Sequence, residues 1–535
     1  MIDGFYRANR KIKMRFLFPL LLVVSAFLSL QLSSCEPKEN LLSDTGQLEF
    51  AAPYLSGNFI LSRPDSVLFD TVFTRVGTVT KRLWVYNHNA RAVRIEQISL
   101  GQPAASPYSL IINGDEVNTA AGLTLRGNDS LLILVKARLG ETNVNTPFLL
   151  TNDLKFRTNG HDQIVRLVAY GQNAYFHANA ELGCDEVWKA DKPHVLVGVA
   201  LVKKGCTLRI LPGARIYAHA GAVLWVQGTL LVNEPADFNP GADSVKLSSR
   251  NIVRFLNDRR EPEYANVPGQ WLGVVLDAGS HGSRIHYAEI KNSVYGVVLN
   301  NPKNQSPPPD LTLNNCVIRN INGANVSAAN PFPSPYGAAV FSVAGTVMAI
   351  NCLFTNCGQY AILGLGGTKC ELNYCTVANY APGSSRETES LYFVPQIQED
   401  GPIIPVSLTI RNSIIWGPTP PLGGAKALED ELLLIHPELS PPAVIEHTLL
   451  RTKRYAAATG TPDKPAFDNS GNLLNKDPKF LRTPENYGGA LYDYHLDAAS
   501  PAANQGIPSP LAPRDLLNKE RSATKPDLGA FERKK

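Results

Sequence analysis

The sequence has few charged residues and, beyond its first 30 positions, no long apolar run. Charged residues make up 18% of the 535 positions, against ~25% in ordinary soluble proteins. Hydrophobic residues make up 44%, so the composition is not that of a disordered chain. Without the five basic residues and one acidic residue of positions 1–34, 46 basic and 46 acidic residues remain. This balance excludes a broadly basic surface, and we expect no nucleic-acid partner.

The one long apolar run lies near the N-terminus. Residues 16–30 (FLFPLLLVVSAFLSL) follow a basic stretch, which is typical of a secretory signal. Leu32-Ser33-Ser34-Cys35 resembles a bacterial lipobox, and the resemblance implies cleavage before Cys35 and acylation of its thiol. We expect a signal peptide at 1–34, a polar tether at 35–47, and attachment to the cell envelope, at the outer membrane of a Gram-negative bacterium, through lipid on Cys35. The alternative is a signal peptide without lipid.

Residues 48–175 predict an immunoglobulin-like (Ig-like) β-sandwich. Short alternating segments are separated by Gly, Asn and Pro, and about seven strands in this length fit such a sandwich. The clearest predicted strands are Phe69–Thr74, Leu83–Asn87, Val93–Leu100, Tyr108–Asn113, Leu131–Lys136 and Ile164–Tyr170. Residues 69–89 (FDTVFTRVGTVTKRLWVYNHN) also resemble the opening of Ig-like modules in bacterial envelope proteins.

Residues 176–535 contain an internal repeat. Five segments read small, any, apolar, any, then Asn or Gly: 288–292, 316–320, 352–356, 375–379 and 413–417. Alternation places the small and apolar residues on one face of a strand, and coils stacked ~4.8 Å apart bury that face jointly. The pattern predicts a parallel β-helix with three stacked columns. They are the small column Ala288, Cys316, Cys352, Cys375 and Ser413, the interior column Ile290, Ile318, Phe354, Val377 and Ile415, and the turn column Asn292, Asn320, Asn356 and Asn379.

Three stretches are similar to right-handed parallel β-helix proteins of the pectin-lyase-like type. They are residues 201–231, residues 268–299, and a C-terminal set formed by 494–501, Asp515, Arg521 and 527–532. The resemblance covers residues 180–532 and implies a right-handed β-helix. The predicted fold class is therefore all-β, an Ig-like sandwich at 48–175 followed by a right-handed parallel β-helix at 176–535. This fold carries lyases, hydrolases, esterases, adhesins and inert scaffolds, so it does not specify a function.

The signatures of β-helix enzymes are incomplete in this chain. Ser280-His281-Gly282 and Arg284-Ile285-His286 are fragments of a polygalacturonase-like pattern without its paired aspartates. Inverting hydrolysis needs two carboxyl groups ~6.5–9.5 Å apart, and no coil shows an evident pair. We therefore expect binding of glycan or envelope surface without catalysis. The alternatives are a polysaccharide lyase or glycoside hydrolase acting on acidic polysaccharide, and a structural envelope scaffold.

Lys291 and Arg319 are the first candidates for a site. They occupy equivalent outward positions of the repeat and should stack as like charges on adjacent coils. An anionic ligand such as a uronate would relieve that repulsion, and a lysine with a lowered pKa could act as a base. The competing interpretation is that Glu289 and solvent satisfy both cations.

Asp277, His281, His286 and Glu289 are the second group of candidates. Asp277 and Glu289 are acid–base candidates, and Asp277, His281 and Glu289, with His286 nearby, could hold a divalent metal. His286 shares the parity of inward residues, which favours a buried corner histidine, and we expect neither metal nor cofactor.

The cysteines and two long segments complete the expectations. A Cys184–Cys206 disulfide is possible, whereas Cys316, Cys352 and Cys375 are interpreted as small core residues. With seven cysteines after Cys35, at least one thiol is free or paired between chains. Segments 379–405 and 423–442 leave the repeat, and residues 425–435 suggest a short helix. Such segments carry function, or cover outward apolar residues such as Val317, Leu353 and Ile414.

Overall fold

The computed structural model describes a chain built almost wholly of strands. The described residues are 46–56, 59–75, 77–237, 251–322, 337–381, 386–396, 401–418, 428–456, 460–486 and 492–533. Within them the only helical segments are two 3₁₀ turns, Pro262–Tyr264 and Pro437–Leu439, and no helix is long and apolar enough to cross a membrane. Two compact units are present. The first contains the described residues up to Phe69, Gly77–Arg138 and Leu150–Ala169, and the second contains the rest.

The first unit is an antiparallel sandwich. One sheet has six strands, in the order Phe59–Arg63, Glu49–Ser56, Lys81–Asn87, Asp129–Ala137, Tyr108–Ile112 and Asp115–Val117. The other has five, in the order Ser66–Phe73, His161–Gln172, Phe148–Thr158, Val93–Leu100 and Thr119–Leu125. Inward rings meet between the sheets, with the centroids of Phe50 and Phe156 4.7 Å apart. All six strands named from the sequence are present, and the Ig-like prediction is confirmed.

The second unit is a parallel β-helix with three faces, A, B and C, visited in that order by each coil. Face A consists of Glu186–Trp188, Thr207–Ile210, Thr229–Val232, Ser283–His286, Asp310–Asn314, Thr346–Ile350, Lys369–Asn373, Ser407–Arg411 and Val444–Glu446. Face B consists of Arg215–Ala218, Val253–Asn257, Ala288–Lys291, Val317–Ile321, Leu353–Cys357, Thr376–Ala378, Ile414–Trp416, Leu449–Leu450 and Leu473–Leu474. Face C consists of Val223–Val226, Gly273–Asp277, Tyr295–Asn300, Ala338–Val343, Tyr360–Leu365, Leu391–Val394 and Leu432–Leu434.

Further strands start and close the second unit. The long strand His194–Val202 begins both faces B and C, and Tyr175–Glu181 pairs with it in parallel at the N-terminal end. Phe480–Arg482 and Asp493–Leu496 form an antiparallel pair.

The predicted columns are confirmed where strands stack. The interior column is in register from Ile290 to Ile415 along face B, and it is fully buried, as is the small column. In the turn column, Asn356 donates to Asn320, and Asn320 Nδ2 donates to Asn292 Oδ1 at 3.1 Å. These three residues have φ between 52° and 62°, the left-handed region that Asn tolerates. Asn379 departs from the ladder, because its Oδ1 accepts the backbone N–H of Cys357 instead.

Two local predictions are corrected. The helix expected at residues 425–435 is not formed in its described part, 428–435, where Leu432–Leu434 is a strand. Its leucines extend face C beneath Leu391–Val394, so stacking overrides local helix propensity. The outward residues Val317, Leu353 and Ile414 are buried mainly by the C-terminal segment, through Phe480, Tyr494, Leu496, Leu516, Leu528, Ala530 and Phe531.

The cysteines follow the expectations. Cys184 and Cys206 form a disulfide with a Cα–Cα distance of 4.7 Å. Cys316, Cys352, Cys357, Cys370 and Cys375 are free and buried. Cys35 and the signal segment lie outside the described residues.

Candidate functional site

Three neighbouring strands of face B bring charged side chains together. Arg254 is in register with Glu289, and Lys291 is in register with Arg319. These residues alternate with buried Phe255, Ile290 and Ile318, so they project from the outer surface. The stacked cations expected from the repeat are therefore present on adjacent coils.

Glu289 bridges the coils on either side of it. Its Oε1 accepts from Arg319 Nε at 2.8 Å and lies 2.7 Å from Arg319 Nη2, while its Oε2 lies 3.6 Å from Arg254 Nε. The Glu289 side chain is 6% exposed, whereas those of Arg254 and Arg319 are 20% and 30% exposed. Both carboxylate oxygens face guanidinium groups, so the carboxylate is already engaged in ion pairs with the two neighbouring coils.

Lys291 lies in a markedly positive environment. Its Nζ donates to the backbone carbonyl of Ala265 at 2.9 Å. Burial lowers the pKa of Lys291, and the charges of Arg319, Arg254 and Arg260 lower it further, against the single opposing effect of Glu289. We call Arg254, Arg260, Glu289, Lys291 and Arg319 the basic patch. Because three cations and one carboxylate act on Lys291, the patch favours an anion.

Arg260 reaches the patch from the turn between faces B and C. It donates through Nη1 to the Tyr217 hydroxyl, and its guanidinium carbon lies 4.7 Å from the centre of the Tyr217 ring. Ring and hydroxyl together fix the position of this cation.

Two members of the patch, Arg254 and Arg260, were not identified from the sequence. Residues 253–257 (VRFLN) end in Asn like the repeat but begin with Val rather than a small residue, and Asn257 accepts from Asn292 at 2.7 Å. A looser repeat pattern would have found Arg254.

Asp277 lies apart from the basic patch, at the end of a face C strand. Its carboxylate accepts from Trp225 Nε1 at 3.3 Å, Gln227 Nε2 at 3.4 Å and Asn300 Nδ2 at 3.3 Å. The structure therefore surrounds Asp277 with neutral donors and does not place it beside Glu289.

The two histidines occupy further positions. His281 Nδ1 lies 3.1 Å from the carbonyl of Pro308 and 3.8 Å from Asp310. His286 ends a face A strand, and the inward position predicted for it is wrong, because Ile285 is the core residue there. Burial lowers the pKa of His286, and Glu234 lies 3.7 Å away. Consecutive strands of one coil lie on different faces of the β-helix. Candidate residues that are close together in the sequence are therefore separated in space. Among the described residues, no group of three His, Cys, Asp or Glu side chains is arranged to hold a metal ion.

Comparisons with known proteins give partial overlaps. No protein-family model matches the chain, and no curated protein sequence matches it. The N-terminal domain of PorA is 13% identical over 23% of this chain and 97% of that domain, with a TM-score of 0.18. PapD-like domain 7 of human CEP192 is 15% identical over 26% of this chain and 94% of that domain, with a TM-score of 0.16.

An enzyme also overlaps in part. The family 123 glycoside hydrolase from Clostridium perfringens is 6% identical over 24% of this chain, with a TM-score of 0.17. This chain spans about a quarter of that enzyme, with 26% of it covered. Likeness of this extent carries no information on activity.

Proposed function

We propose that this protein is a lipid-anchored cell-envelope protein that binds an anionic glycan or envelope surface through the basic patch, without catalysis. The observation that carries the proposal is the environment of Lys291, where three cations outweigh one carboxylate. A mature chain with equal numbers of acidic and basic residues must recognise anions locally, and the patch supplies such a place. Arginine forks match carboxylate, sulfate and phosphate groups.

The hydrogen bonds favour binding over catalysis. Glu289 is held between two guanidinium groups, and Lys291 donates to a backbone carbonyl. The groups that could transfer a proton are thus already engaged, whereas the partly exposed sides of Arg254 and Arg319 remain accessible to a ligand.

Replacing Lys291 and Arg260 by Gln in one chain should weaken binding to acidic polysaccharide by about tenfold or more, because charge-assisted hydrogen bonds contribute ~1.5–3 kcal/mol each. Both residues are chosen because neither pairs with Glu289, so the Arg254–Glu289–Arg319 bridge is retained. Affinity is measured by calorimetry at two salt concentrations against acidic and neutral polysaccharides.

Lys453→Gln is the matched control, since Lys453 is an exposed cation paired with Glu429. Equal affinity of the double variant and wild type for every acidic glycan, or equal losses in the variant and the control, would contradict the proposal.

A polysaccharide lyase is the second candidate, favoured by the lowered pKa of Lys291. A neutral lysine amine beside arginines that hold a uronate could abstract the C5 proton next to the carboxylate. The electron pair of that C–H bond then forms the C4–C5 double bond while the glycosidic C4–O bond breaks, and the leaving oxygen takes a proton from water. The same incubations, followed by ultraviolet absorbance for unsaturated ends, distinguish the candidates. Binding without product supports the first, and product that disappears with Lys291→Gln supports the second.

The proposed anchor has its own test. Cys35→Ala should move the protein from the membrane fraction to the soluble periplasmic or extracellular fraction, because the acyl chains that bury methylene groups are lost. Fractionation with immunodetection measures this, with Cys316→Ala as a control at a buried thiol. Retention of Cys35→Ala in membranes to the wild-type level would refute lipid anchoring at this residue.

A further inference from the structure

An apolar cavity lies near the C-terminal end of the β-helix, among the residues of its last coils. The cavity has a volume of about 470 Å³, within the ~300–1,000 Å³ of small-molecule sites. Leu408, Leu434, Ile445 and Phe467 are among its lining residues and also belong to the core that runs through the coils. The cavity therefore shares part of its lining with the core of the helix. We call it the terminal cavity.

Prolines make much of its wall rigid. Five line the cavity: Pro437, Pro441, Pro442, Pro462 and Pro465. The ring of proline fixes φ and limits the ways in which a wall can collapse or rearrange. A site that is shaped before its ligand arrives loses little conformational entropy on binding, so the terminal cavity has the properties of a preformed site.

Two polar side chains of the lining, Glu446 and Ser440, have partners within the protein. Glu446 Oε2 accepts from Arg411 Nε at 2.9 Å, and Ser440 Oγ accepts from the backbone N–H of Val406 at 3.2 Å. These groups do not call for a charged partner, and burying an unpaired charge among the apolar residues would be costly. The ligand that fits is uncharged.

Much of the remaining wall is aliphatic. Val406, Leu408, Leu434, Ile435, Val444 and Ile445 supply this part, and polar Thr461, Asn469 and Ser470 also line the cavity. Among the described residues of the lining, Phe467 is the one aromatic residue, and its ring packs edge-on against Tyr455, with centroids 5.3 Å apart. Aliphatic walls favour the binding of any apolar surface that is removed from water, at ~25 cal/mol per Å².

We propose that the terminal cavity is a binding site for an uncharged hydrocarbon chain. A methylene group has about the volume of a water molecule, ~30 Å³. The cavity of about 470 Å³ therefore has room for a chain of the length of dodecanol. The proposal is independent of the basic patch, which uses none of these residues.

The test uses N-phenyl-1-naphthylamine, a neutral fluorescent probe, with 1-dodecanol as competitor on the purified, unacylated mature chain. We expect saturable binding of one probe, displacement by dodecanol, and much weaker displacement by dodecyl sulfate, whose chain is equal but charged. Ala466→Phe places a ring in the cavity and should weaken probe binding by about tenfold or more. Ala503→Phe is the matched control at a partly exposed alanine outside the lining.

Thermal melting shows whether each variant is folded. If Ala466→Phe is unfolded, Ala443→Leu makes a smaller addition to the same lining and replaces it. Binding that does not saturate, or equal affinity of wild type and a folded cavity variant, would overturn the proposal. Preference for the anionic competitor would also overturn it, because the site would then recognise charge.

Discussion

Replacing Glu431 by alanine should lower the free energy of unfolding by about 3–5 kcal/mol, the usual cost of leaving one charge of a buried pair alone. Glu431 and Arg386 form a two-pronged ion pair, with Nη2–Oε1 at 2.8 Å and Nη1–Oε2 at 3.0 Å. Their side chains are 0% and 3% exposed, and Ser390 Oγ donates to the same carboxylate at 2.6 Å. Alanine would leave the Arg386 guanidinium buried without its counter-charge.

The measurement is urea unfolding at pH 7 followed by circular dichroism. The control is Glu429→Ala, which removes an exposed partner of Lys453 with side chains 57% and 72% exposed and should cost about 0.5 kcal/mol or less. Arg386→Met with Glu431→Leu should recover most of the loss, since apolar residues can replace a buried pair. Similar losses for Glu431→Ala and Glu429→Ala would show that the buried pair is not the cause.

The ion pair also gives the long segments of the repeat a structural role. Arg386 belongs to the excursion between Thr376–Ala378 and Leu391–Val394, and Glu431 precedes the next face C strand. The pair therefore joins two excursions on neighbouring coils. Alternation and repeat spacing placed both segments outside the coil, which is wrong for Leu391–Val394 and Leu432–Leu434, because both are strands of face C. They also gave no signal that an arginine and a glutamate 45 residues apart would meet.

The sequence predicted best what depends on repetition. Stacked coils put equal positions in contact, so one alignment located Ile290, Ile318, Phe354 and the asparagine turns together. It also placed Lys291 next to Arg319. The alignment did not predict which residues of one coil lie on the same face. Asp277 and Glu289 are 12 residues apart in the sequence but lie on different faces.

The sequence also did not predict the contacts that the C-terminal segment makes. The C-terminal segment folds back over face B, where Thr355 Oγ1 donates to the Tyr494 hydroxyl at 2.9 Å. Arg521 is buried, donates to Asn351 Oδ1 at 2.8 Å and lies 4.0 Å from the ring centre of Tyr374. Resemblance identified this segment as a closing element, but its docking surface depends on tertiary packing that no local pattern encodes.

Acidification should open the N-terminal end of the β-helix, through a pair of buried histidines. His177 Nε2 and His194 Nδ1 are 3.1 Å apart, and His194 Nε2 lies 3.1 Å from the carbonyl of Lys189. Because a carbonyl only accepts, His194 carries its proton on Nε2, and its Nδ1 accepts from His177. Trp188, 1% exposed, stacks on both rings with centroids 4.6 Å away, so the neutral pair helps cover the first coil of the core.

The two pKa values give the sign of the effect. Burial and the charge of His177 together lower the pKa of His194 to about 3, and burial also lowers the pKa of His177. Glu186 opposes the shift at His177, while at His194 Asp191 opposes it and Lys192 adds to it. An unfolded histidine titrates near ~6.5, so the unfolded state binds protons first. The contribution of the neutral histidines to the free energy of unfolding is fully present above pH ~6.5 and is lost as the pH falls toward ~3. At pH 5 the loss from His194 is about 2 kcal/mol.

Hydrogen exchange of the backbone amides in Tyr175–Glu181, which pairs only with His194–Val202 among the described strands, reports this opening locally. At pH 5 we expect faster exchange there than in the central coils, after correction for intrinsic rates. A chain with both His177 and His194 replaced by Asn cannot charge at these positions, so its protection should change less between pH 7.5 and pH 5. The exposed His161→Asn is the control. If wild type and the double variant lose protection equally over this range, protonation of the pair does not drive the opening.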